Sequence, residues 1–325
     1  MSLETVKLSV IIPTYNSSKF IEKTLFDVTN HMSSAIYNWE IIIVDDSSSD
    51  DTFNVVRNFF YKCDVNFRLI QLLKNRGQNN ALFAGVKEAK GQYVVTMDDD
   101  MEVPALEISR ILMSLERDSA TDVLIGIPKV DKRSLFRRIG TTVHNKINYV
   151  LFRVNFQASG FRIIRRNVVD AIISCPTVTP HIGFLLIETT KRIKNFHISK
   201  NPGLRSSNYS SIALIKLVIW NMFNYTSVPL DLISNFGLLT SACSTIFGLY
   251  TVIQYFTGFP HPISNPGWTS LITAIFFLSG IILMSLGIIG KFIMKLTKEL
   301  SVGHSSFKRN EVTKYESFDD IKKSA

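Results

Sequence analysis

The sequence predicts an α/β domain with a mostly parallel sheet, followed by juxtamembrane helices and two transmembrane helices. Two observations lead to this prediction. Between residues 8 and 128, short apolar runs alternate strictly with segments of helical spacing, which is typical of parallel strands joined by helices. Further on, from Leu232 to Gly290, this chain of 325 residues contains no Asp, Glu, Lys or Arg.

Four apolar runs near the beginning predict buried strands of the sheet. They are LSVIIPTYN (8–16), WEIIIV (39–44), FRLIQLLK (67–74) and QYVVTMDDD (92–100). The intervening segments predict helices at 17–32, 52–61 and 79–91, the last with Gly91 as its stop. The domain continues with a helix at 104–117, the strand DVLIGIP (122–128), a basic helical segment at 131–152 and the strand FQASGFRIIRR (156–166).

The C-terminal third predicts contact with a membrane. Residues 210–230 mix apolar and polar positions at helical spacing, as helices at a membrane surface do. Two uncharged spans follow, 232–256 and 268–290, and each is long enough to cross a hydrocarbon core, which takes roughly 20 helical residues. A buried core hairpin at 232–290 is the alternative. The predicted divisions are 1–209 for the cytoplasmic α/β domain, 210–230 for juxtamembrane helices, 231–296 for a transmembrane hairpin and 297–325 for a polar cytoplasmic tail. Within that tail, residues 301–325 are expected to be poorly ordered.

The charge distribution favours a membrane rather than nucleic acid as the partner. The formal net charge is +9, but the basic residues fall in separate groups without interleaved aromatic residues. The link TGFPHPISNPG between the two spans holds no Lys or Arg, whereas Lys291, Lys295 and Lys298 follow the second span. The positive-inside rule then places the link outside and both termini in the cytoplasm. The three cysteines have no metal-ligand spacing and are predicted to be reduced thiols.

Three adjacent carboxylates, Asp98, Asp99 and Asp100, follow the fourth predicted strand. Alternation along a strand would point Asp98 and Asp100 to one side and Asp99 to the other. Two carboxylates on one side, with Glu102 nearby, can hold Mg²⁺ or Mn²⁺, which prefer oxygen ligands. Such a cation would offset the carboxylate repulsion and stabilise a departing diphosphate. A solvated acidic turn is the alternative.

A second acidic group, Asp45 and Asp46, follows the second predicted strand. Because ligands of parallel sheets bind beyond the carboxyl ends of the strands, both groups are expected to converge on one crevice. A carboxylate at Asp45 or Asp46 can accept a hydrogen bond from a base or a ribose hydroxyl, and Tyr15 can lie against a base. The alternatives are a helix cap and ordinary turn chemistry. The sequence contains no G-x-G-x-x-G after the first strand, no Walker A lysine motif, no H-E-x-x-H and no G-x-S-x-G.

Together the motifs PTYN, VDDSSSDDT and KNRGQNNALFAGVKEAKGQYVVTMDDDMEVP resemble those of family 2 glycosyltransferases of GT-A fold. Within that family the chain is similar to polyprenyl-phosphate hexosyltransferases, a group that includes dolichol-phosphate mannose synthase and bacterial undecaprenyl-phosphate glucosyltransferases. The resemblance covers roughly residues 7–230, and the two apolar spans agree with the layout of the bacterial members. It implies a GT-A, Rossmann-like domain that binds a nucleotide-sugar.

The resemblance also implies roles for individual residues. The donor nucleotide-sugar, most simply a UDP-sugar, would be held by Pro13, Tyr15, Asp45, Asp46, Asn75, Gly77, Gln78 and Asp99. Asp98 and Asp100 match the family's D-x-D pair and would act as catalytic metal ligands for Mg²⁺ or Mn²⁺. Glu102 falls where relatives often have a metal-binding Gln.

The acceptor implied by the resemblance is a polyprenyl (undecaprenyl) phosphate. This phosphate is already an anion and needs little general base, but it needs cations to approach an anionic donor. Arg162, in the segment SGFRIIRR, is the catalytic candidate among these cations. The candidates for the acceptor phosphate are Arg137, Arg138, Arg162, Arg165, Arg205 and Asn208. Relatives with GDFRL carry Asp where this chain has Gly160, so no general base is assigned there.

The predicted function is transfer of a hexose-type sugar, with inversion, at the bacterial cytoplasmic membrane. The predicted partners are the donor, the acceptor, membrane lipid and further copies of the chain in a homo-oligomer, without nucleic acid. Two alternatives stay open: transfer to a lipid-linked oligosaccharide or another sugar hydroxyl, and a non-catalytic membrane scaffold.

Overall fold

The structure, a computed structural model, describes residues 7–35, 38–128, 159–175, 180–201 and 312–317, with isolated helical positions between 253 and 296. The strands are β1 Leu8–Thr14, β2 Trp39–Asp45, β3 Phe67–Leu72, β4 Tyr93–Thr96, β5 Val123–Pro128, β6 Arg162–Arg165, β7 Ile193–Ile198 and β8 Val312–Ser317. The helices are α1 Ile21–Ala35, α2 Thr52–Tyr61, α3 Gln78–Glu88, α4 Leu106–Arg117, α5 Arg166–Ser174 and α6 Ile182–Thr189.

All eight strands form one sheet in the order β7-β5-β6-β4-β1-β2-β3-β8. The pairs β1–β2, β1–β4, β2–β3 and β5–β7 are parallel. Antiparallel pairing is confined to β6, which lies between β4 and β5, and to β8 at the end of the sheet. The predicted α/β domain with a mostly parallel sheet is therefore confirmed.

Helices cover both faces of the sheet, which explains why the central strands are apolar without alternation. On one face, α1, α2 and α4 pack against residues such as Val10 and Ile43. On the other face, α3, α5 and α6 pack against residues such as Ile11 and Val44. Every residue of β1 and β2 is buried as a result.

The elements differ from the predicted ones at several places. β4 ends at Thr96, so the acidic triplet belongs to a loop. α3 ends at Glu88, and Gly91 instead lies against β1, where its N–H donates to Ser9 Oγ at 2.8 Å. A Cβ at Gly91 would come within 2.6 Å of the Ser9 nitrogen, so this glycine permits a close backbone approach. The weakly patterned region before residue 200 contains α5, α6 and β7.

The predicted poorly ordered tail contains a strand. β8 pairs antiparallel with β3, with Ile70 opposite Tyr315. Its segment VTKYES is rich in residues that favour strands, and the outer edge of β3 offers unpaired backbone groups to a strand of any polarity. For residues 312–317 the prediction of poor order was therefore wrong.

A buried polar network lies at the end of the sheet where β1 to β3 begin, which we call the amino edge. Arg68 Nη2 lies 2.9 Å from Glu40 Oε2, and the two side chains are 7% and 0% exposed. Glu40 Oε1 also accepts hydrogen bonds from Ser9 Oγ at 2.6 Å and from the Lys90 N–H at 2.7 Å. These bonds tie β1, β2 and β3 together at the edge remote from the acidic loops.

The chain divides into two compact units, residues Met1–Asn208 with Val302–Ala325, and residues Tyr209–Ser301. Most of the predicted juxtamembrane and transmembrane residues, 210–230 and 231–296, lie outside the described residues, as does the predicted helix at 131–152. Within the part of the chain that the structure describes, no helix combines the length and apolar character needed to cross a membrane.

Candidate active site

The two acidic groups meet where β1, β2 and β4 end, which we call the carboxyl edge of the sheet. The Asp46 N–H donates to the Thr14 carbonyl at 2.9 Å, and Thr14 Oγ1 donates to Asp99 Oδ2 at 2.8 Å. Met101 has φ = 58°, in the left-handed region, so the backbone turns sharply directly after the triplet. The carboxyl edge therefore gathers Asp46 and Asp98 to Asp100 in one place, as the sequence predicted.

Asp98 lies at the centre of this edge and is partly exposed. Its Oδ1 accepts a hydrogen bond at 2.5 Å from Nε2 of Gln78, which is the first residue of α3. Burial raises the pKa of Asp98, the Asp100 and Asp99 carboxylates raise it further, and Arg162 and Lys200 oppose the shift. A cation bound beside Asp98 would relieve this unfavourable environment.

Asp98 packs against the bare backbone of Gly160. A Cβ at residue 160 would lie 2.5 Å from Asp98 Oδ2 and 2.8 Å from Oδ1. The Gly160 carbonyl accepts a hydrogen bond from Thr96 Oγ1 at 2.6 Å, which fixes this backbone beside the end of β4. The space that a side chain at residue 160 would fill is occupied by the Asp98 carboxylate.

Asp99 faces the interior rather than the crevice, and it is 7% exposed. Its Oδ2 accepts hydrogen bonds from Thr14 Oγ1 and Ser17 Oγ, and its carbonyl accepts one from Thr24 Oγ1 at 2.9 Å. These contacts hold the loop after β1 and the first turns of α1 against the acidic loop. The geometry thus gives Asp99 a supporting role, and its predicted contact with the donor stays a prediction.

Asp45 and Asp46 also hold loops in place. Asp46 accepts the N–H groups of Arg76 at 2.8 Å and Gly77 at 2.7 Å, one at each oxygen. Burial nevertheless raises the pKa of Asp46. Asp45 accepts the Ser48 hydroxyl and Gln71 Nε2, the latter at 2.8 Å. Both carboxylates therefore shape the crevice at the carboxyl edge through the loops that they bind.

The remaining predicted donor residues lie around the same crevice. Tyr15 follows β1 and is 42% exposed, while Pro13 is buried within the strand. Asn75 is exposed in the loop before α3, and Gly77 has φ = 88°, which suits glycine. Gly77 brings its N–H to Asp46 and turns the chain so that Gln78 reaches Asp98. Tyr15, Asn75 and Gln78 present polar or aromatic groups at this rim.

Arg162 lies at the carboxyl edge because β6 runs antiparallel to β4, with Arg162 opposite Thr96. Its Nη2 donates to the Ser159 carbonyl at 2.6 Å, whereas its buried Nε has no hydrogen-bond partner among the described residues. Burial lowers the pKa of Arg162 to about 10, and the Asp98 charge opposes this shift. The guanidinium is therefore still charged at neutral pH and faces Asp98.

His181 accompanies Arg162 and was missed by the sequence analysis. A Cβ built at Gly183 would lie 3.2 Å from the His181 ring and 3.8 Å from Arg162 Nη1, so the two side chains meet there. Burial and the Arg162 charge lower the pKa of His181 to about 4, and the ring lies 4.3 Å from the Phe184 ring between centroids. The imidazole is consequently neutral at pH 7.

Arg165 is directed to the opposite edge of the sheet, since it lies opposite Tyr93 in the same antiparallel register. Its guanidinium donates to the carbonyls of Thr121 at 2.8 Å, Leu115 at 2.7 Å and Asp118 at 3.1 Å. This geometry contradicts the predicted role of Arg165 in binding the acceptor phosphate. Arg137, Arg138, Arg205 and Asn208 lie outside the described residues.

Glu102 is paired with a second residue that the sequence analysis missed, Lys200. Lys200 Nζ contacts Glu102 Oε2, and the Glu102 N–H donates to Asp100 Oδ1 at 3.1 Å. Burial raises the pKa of Asp100, and Glu102 and Asp99 add to the shift. Lys200 lies two residues after the end of β7, outside any motif, so only its basic character could have drawn attention to it.

A divalent cation fits this site through two carboxylates rather than three. Asp98 and Asp100 offer hard oxygen ligands with raised pKa values, while Glu102 is held by Lys200. Among the residues that the structure describes, no group of three or more His, Cys, Asp or Glu side chains is arranged to hold a metal. Mg²⁺ commonly binds proteins through one or two carboxylates and completes its shell with water and phosphate oxygens.

Known proteins share both the motifs and the architecture. The sequence model of a family described as "Glycosyl transferase family 2" matches residues 9–173, more than half of the chain. The chain is 26% identical over 302 residues to the undecaprenyl-phosphate 4-deoxy-4-formamido-L-arabinose transferase of Klebsiella pneumoniae, with 90% of each chain covered. The enzyme of the same name from Salmonella choleraesuis is 26% identical over 308 residues, again with 90% coverage of each.

Among solved structures, the chain is similar to glucosyl-3-phosphoglycerate synthase from Mycobacterium tuberculosis. In its complex with Mn²⁺ and UDP-glucose the TM-score is 0.51 at 16% identity, covering 67% of this chain and 77% of that one. For the complex that also contains phosphoglyceric acid, the TM-score is 0.52 at 16% identity, with coverage of 69% and 79%. Identity at this level concerns the fold alone, and it agrees with the GT-A-like α/β domain.

Proposed function

The chain belongs to glycosyl transferase family 2 and is a glycosyltransferase, and we propose that it transfers a sugar from a nucleotide-sugar to a polyprenyl phosphate at a membrane. One observation carries the choice of acceptor. The similarity to undecaprenyl-phosphate sugar transferases extends over 90% of both chains and so includes the apolar C-terminal third. The likeness to glucosyl-3-phosphoglycerate synthase covers only 67% of this chain.

The carboxyl edge supplies the parts that this reaction needs. Asp98 and Asp100 would hold Mg²⁺ or Mn²⁺, and the cation would stabilise the charge that develops on the departing nucleoside diphosphate. Gln78 and Arg162 orient Asp98 from two sides, through a 2.5 Å hydrogen bond and through charge. The solved relative that binds Mn²⁺ and UDP-glucose supports a UDP-sugar as the first donor to test.

The surroundings of Asp98 favour an acceptor that needs no strong base. Gly160 offers no carboxylate, and His181 lies against the Arg162 guanidinium with its pKa lowered to about 4. A polyprenyl phosphate already carries the attacking anionic oxygen, whereas a sugar hydroxyl must lose a proton. Arg162 brings positive charge to this edge, where it would offset the repulsion between two anionic substrates.

The C-terminal third supports the proposal of a membrane location. Six apolar side chains at described helical positions are between 41% and 59% exposed, and they recur at helical spacing: Leu278, Ile282, Leu286, Ile289, Ile293 and Leu296. Such an apolar surface requires a lipid or protein environment. We therefore place the protein in the bacterial cytoplasmic membrane as a multi-pass protein, with its catalytic unit and both termini on the cytoplasmic side.

The test is a transfer assay with the full-length protein in detergent micelles. UDP-, GDP- and dTDP-linked hexoses and a 4-formamido-arabinose donor are each offered with undecaprenyl phosphate and Mn²⁺, and lipid products are identified by mass spectrometry. One donor should give a lipid-linked monosaccharide, and a metal chelator should abolish its formation. Transfer only to a sugar hydroxyl, or undiminished transfer in chelator, would contradict the proposal.

A further inference from the structure

The segment that follows β7, residues 199–201, lies directly against the acidic loop. The Asn201 N–H donates to the Glu102 carbonyl at 2.8 Å, and Asn201 Nδ2 donates to the Met101 carbonyl at 3.2 Å. The Ser199 N–H donates to Glu107 Oε1 at 3.0 Å, which fixes the segment at its other end. Lys200 is therefore held between two backbone anchors, beside the turn that carries Asp98 and Asp100.

Lys200 differs from an ordinary surface lysine in the charges that it faces. Its ammonium contacts Glu102, and its charge also acts on the carboxyls of Asp98 and Asp100. Both partners of the Lys200–Glu102 pair are about one third exposed, so the ammonium can leave Glu102 without passing through the core. By contrast, Lys194 on β7 is 58% exposed and pairs at 2.6 Å with Asp118 at the amino edge, far from the acidic loop.

Two charges compete for Glu102 in this arrangement. A divalent cation at Asp98 and Asp100 attracts the nearby Glu102 carboxylate more strongly than an ammonium does, because it carries twice the charge. If the bound cation drew Glu102 away from Lys200, the Lys200 ammonium would be free to pair with a diphosphate held at Asp98 and Asp100. Lysine is a common ligand of phosphate groups, to which it donates as a compact point charge.

We propose that Lys200 is a further substrate-binding residue, which neutralises Glu102 before ligands bind and pairs with the diphosphate of the nucleotide-sugar afterwards. This inference rests on the proposed function, since it requires a nucleotide-sugar at these carboxylates. In this proposal, Glu102 pairs first with Lys200 and then with the divalent cation. The segment 199–201 positions the Lys200 ammonium beside the donor.

The two partners of Lys200 can be separated by measuring binding of Mn²⁺ alone and of UDP with saturating Mn²⁺, by calorimetry on the full-length protein. In Lys200→Met, Mn²⁺ should bind about two- to fivefold more tightly, since an exposed competing ion pair is removed. UDP should bind at least about tenfold more weakly, since a charge-assisted contact is lost. A residue that merely braced the loop would weaken both ligands together.

Matched variants make the result decisive. Lys194→Met removes a similar ion pair on β7, the strand that precedes Lys200, and should bind both ligands as the wild type does. Lys200→Arg should keep most of the UDP affinity. In a Glu102→Gln background, replacing Lys200 should raise the Mn²⁺ affinity by less than it does in the wild type, since only the effect of its charge on Asp98 and Asp100 remains. If Lys200→Met does not fold, as judged by circular dichroism, Lys200→Gln replaces it in the same measurements.

The outcomes distinguish this inference from the function on which it rests. If the wild type binds both ligands and Lys200→Met binds UDP as tightly as Lys194→Met does, only the role of Lys200 is refuted. The same conclusion follows if the Lys200 variant loses Mn²⁺ and UDP affinity in parallel. If the wild type binds neither ligand, the proposed function itself fails.

Discussion

Charged side chains at the two edges of the sheet differ in whether the protein itself supplies their partners. At the amino edge, Glu40 accepts two hydrogen bonds and pairs with Arg68, and Arg165 donates to three backbone carbonyls. At the carboxyl edge, burial and neighbouring carboxylates raise the pKa values of Asp98 and Asp100. Charges that are satisfied within the protein stabilise the fold, whereas charges left in unfavourable surroundings are available for a ligand.

The largest expected effect is the loss of transfer rate when a carboxylate at the carboxyl edge is replaced. Asp98→Asn should lower the transfer rate at least about 10³-fold, or about 4 kcal/mol of activation free energy, because a metal ligand is lost. The free energy of unfolding should stay the same or rise, since a carboxylate in unfavourable surroundings is removed. Steady-state kinetics and chemical denaturation check both. Asp170→Asn, which alters a carboxylate that is 62% exposed beside Arg166, is the control and should leave the rate unchanged.

The amino edge should respond in the opposite way. Arg68→Met leaves Glu40 charged and fully buried, and it should lower the free energy of unfolding by about 3–5 kcal/mol. The turnover of the molecules that remain folded should not change, because Arg68 lies at the far end of the strands. Denaturation by urea and active-site-normalised rates test this. Adding Glu40→Gln should restore part of the stability, and a double variant less stable than Arg68→Met would contradict the account.

A smaller loss of transfer rate is expected when a side chain is added at Gly160, whose backbone packs against Asp98. Gly160→Ala places a methyl group 2.5 Å from Asp98 Oδ2 and should displace that carboxylate, lowering the transfer rate by about 10²-fold. Thermal unfolding should change little. Gly287→Ala provides the matched control, because no atom lies within 4 Å of a Cβ built there, and its rate should equal that of the wild type. Equal rates for the two variants would show that Asp98 need not occupy this position.

The smallest expected effect concerns pH. The unfolded chain takes up a proton at His181 near pH 6.5, whereas the folded protein resists it until about pH 4 because the pKa is lowered. Stability is therefore lost as the pH falls through this window, by about 2 kcal/mol between pH 7 and pH 5. His181→Gln carries no such proton and should lose less stability over the same range. Parallel stability curves for the two proteins would refute the burial of a neutral imidazole beside Arg162.

Much of the catalytic unit could be predicted because the signals are local. Buried parallel strands leave apolar runs, and helices between them leave apolar spacing, so β1 to β4 and α1 to α4 were found close to their observed bounds. The convergence of Asp46 and Asp98 followed from a general property of parallel sheets. Arg162 was selected by its motif, and the structure places it at the same edge.

The parts that could not be predicted depend on pairing between distant segments. The pattern RIIR shows two arginines, but only the antiparallel register of β6 sends Arg162 to one edge and Arg165 to the other. The prediction for Asp99 did not include its bonds to Thr14 and Ser17 in the interior, because nothing in the triplet indicates them. Lys200 is brought to the acidic loop by contacts that span about one hundred positions of the chain.

The position of β8 also sets an order of assembly during synthesis. Seven strands of the sheet precede the unit Tyr209–Ser301 in the chain, and the eighth follows it. The ribosome therefore releases the outermost strand only after every apolar residue of that unit has emerged. Until then the free side of β3 lacks its neighbouring strand and remains exposed to other nascent chains.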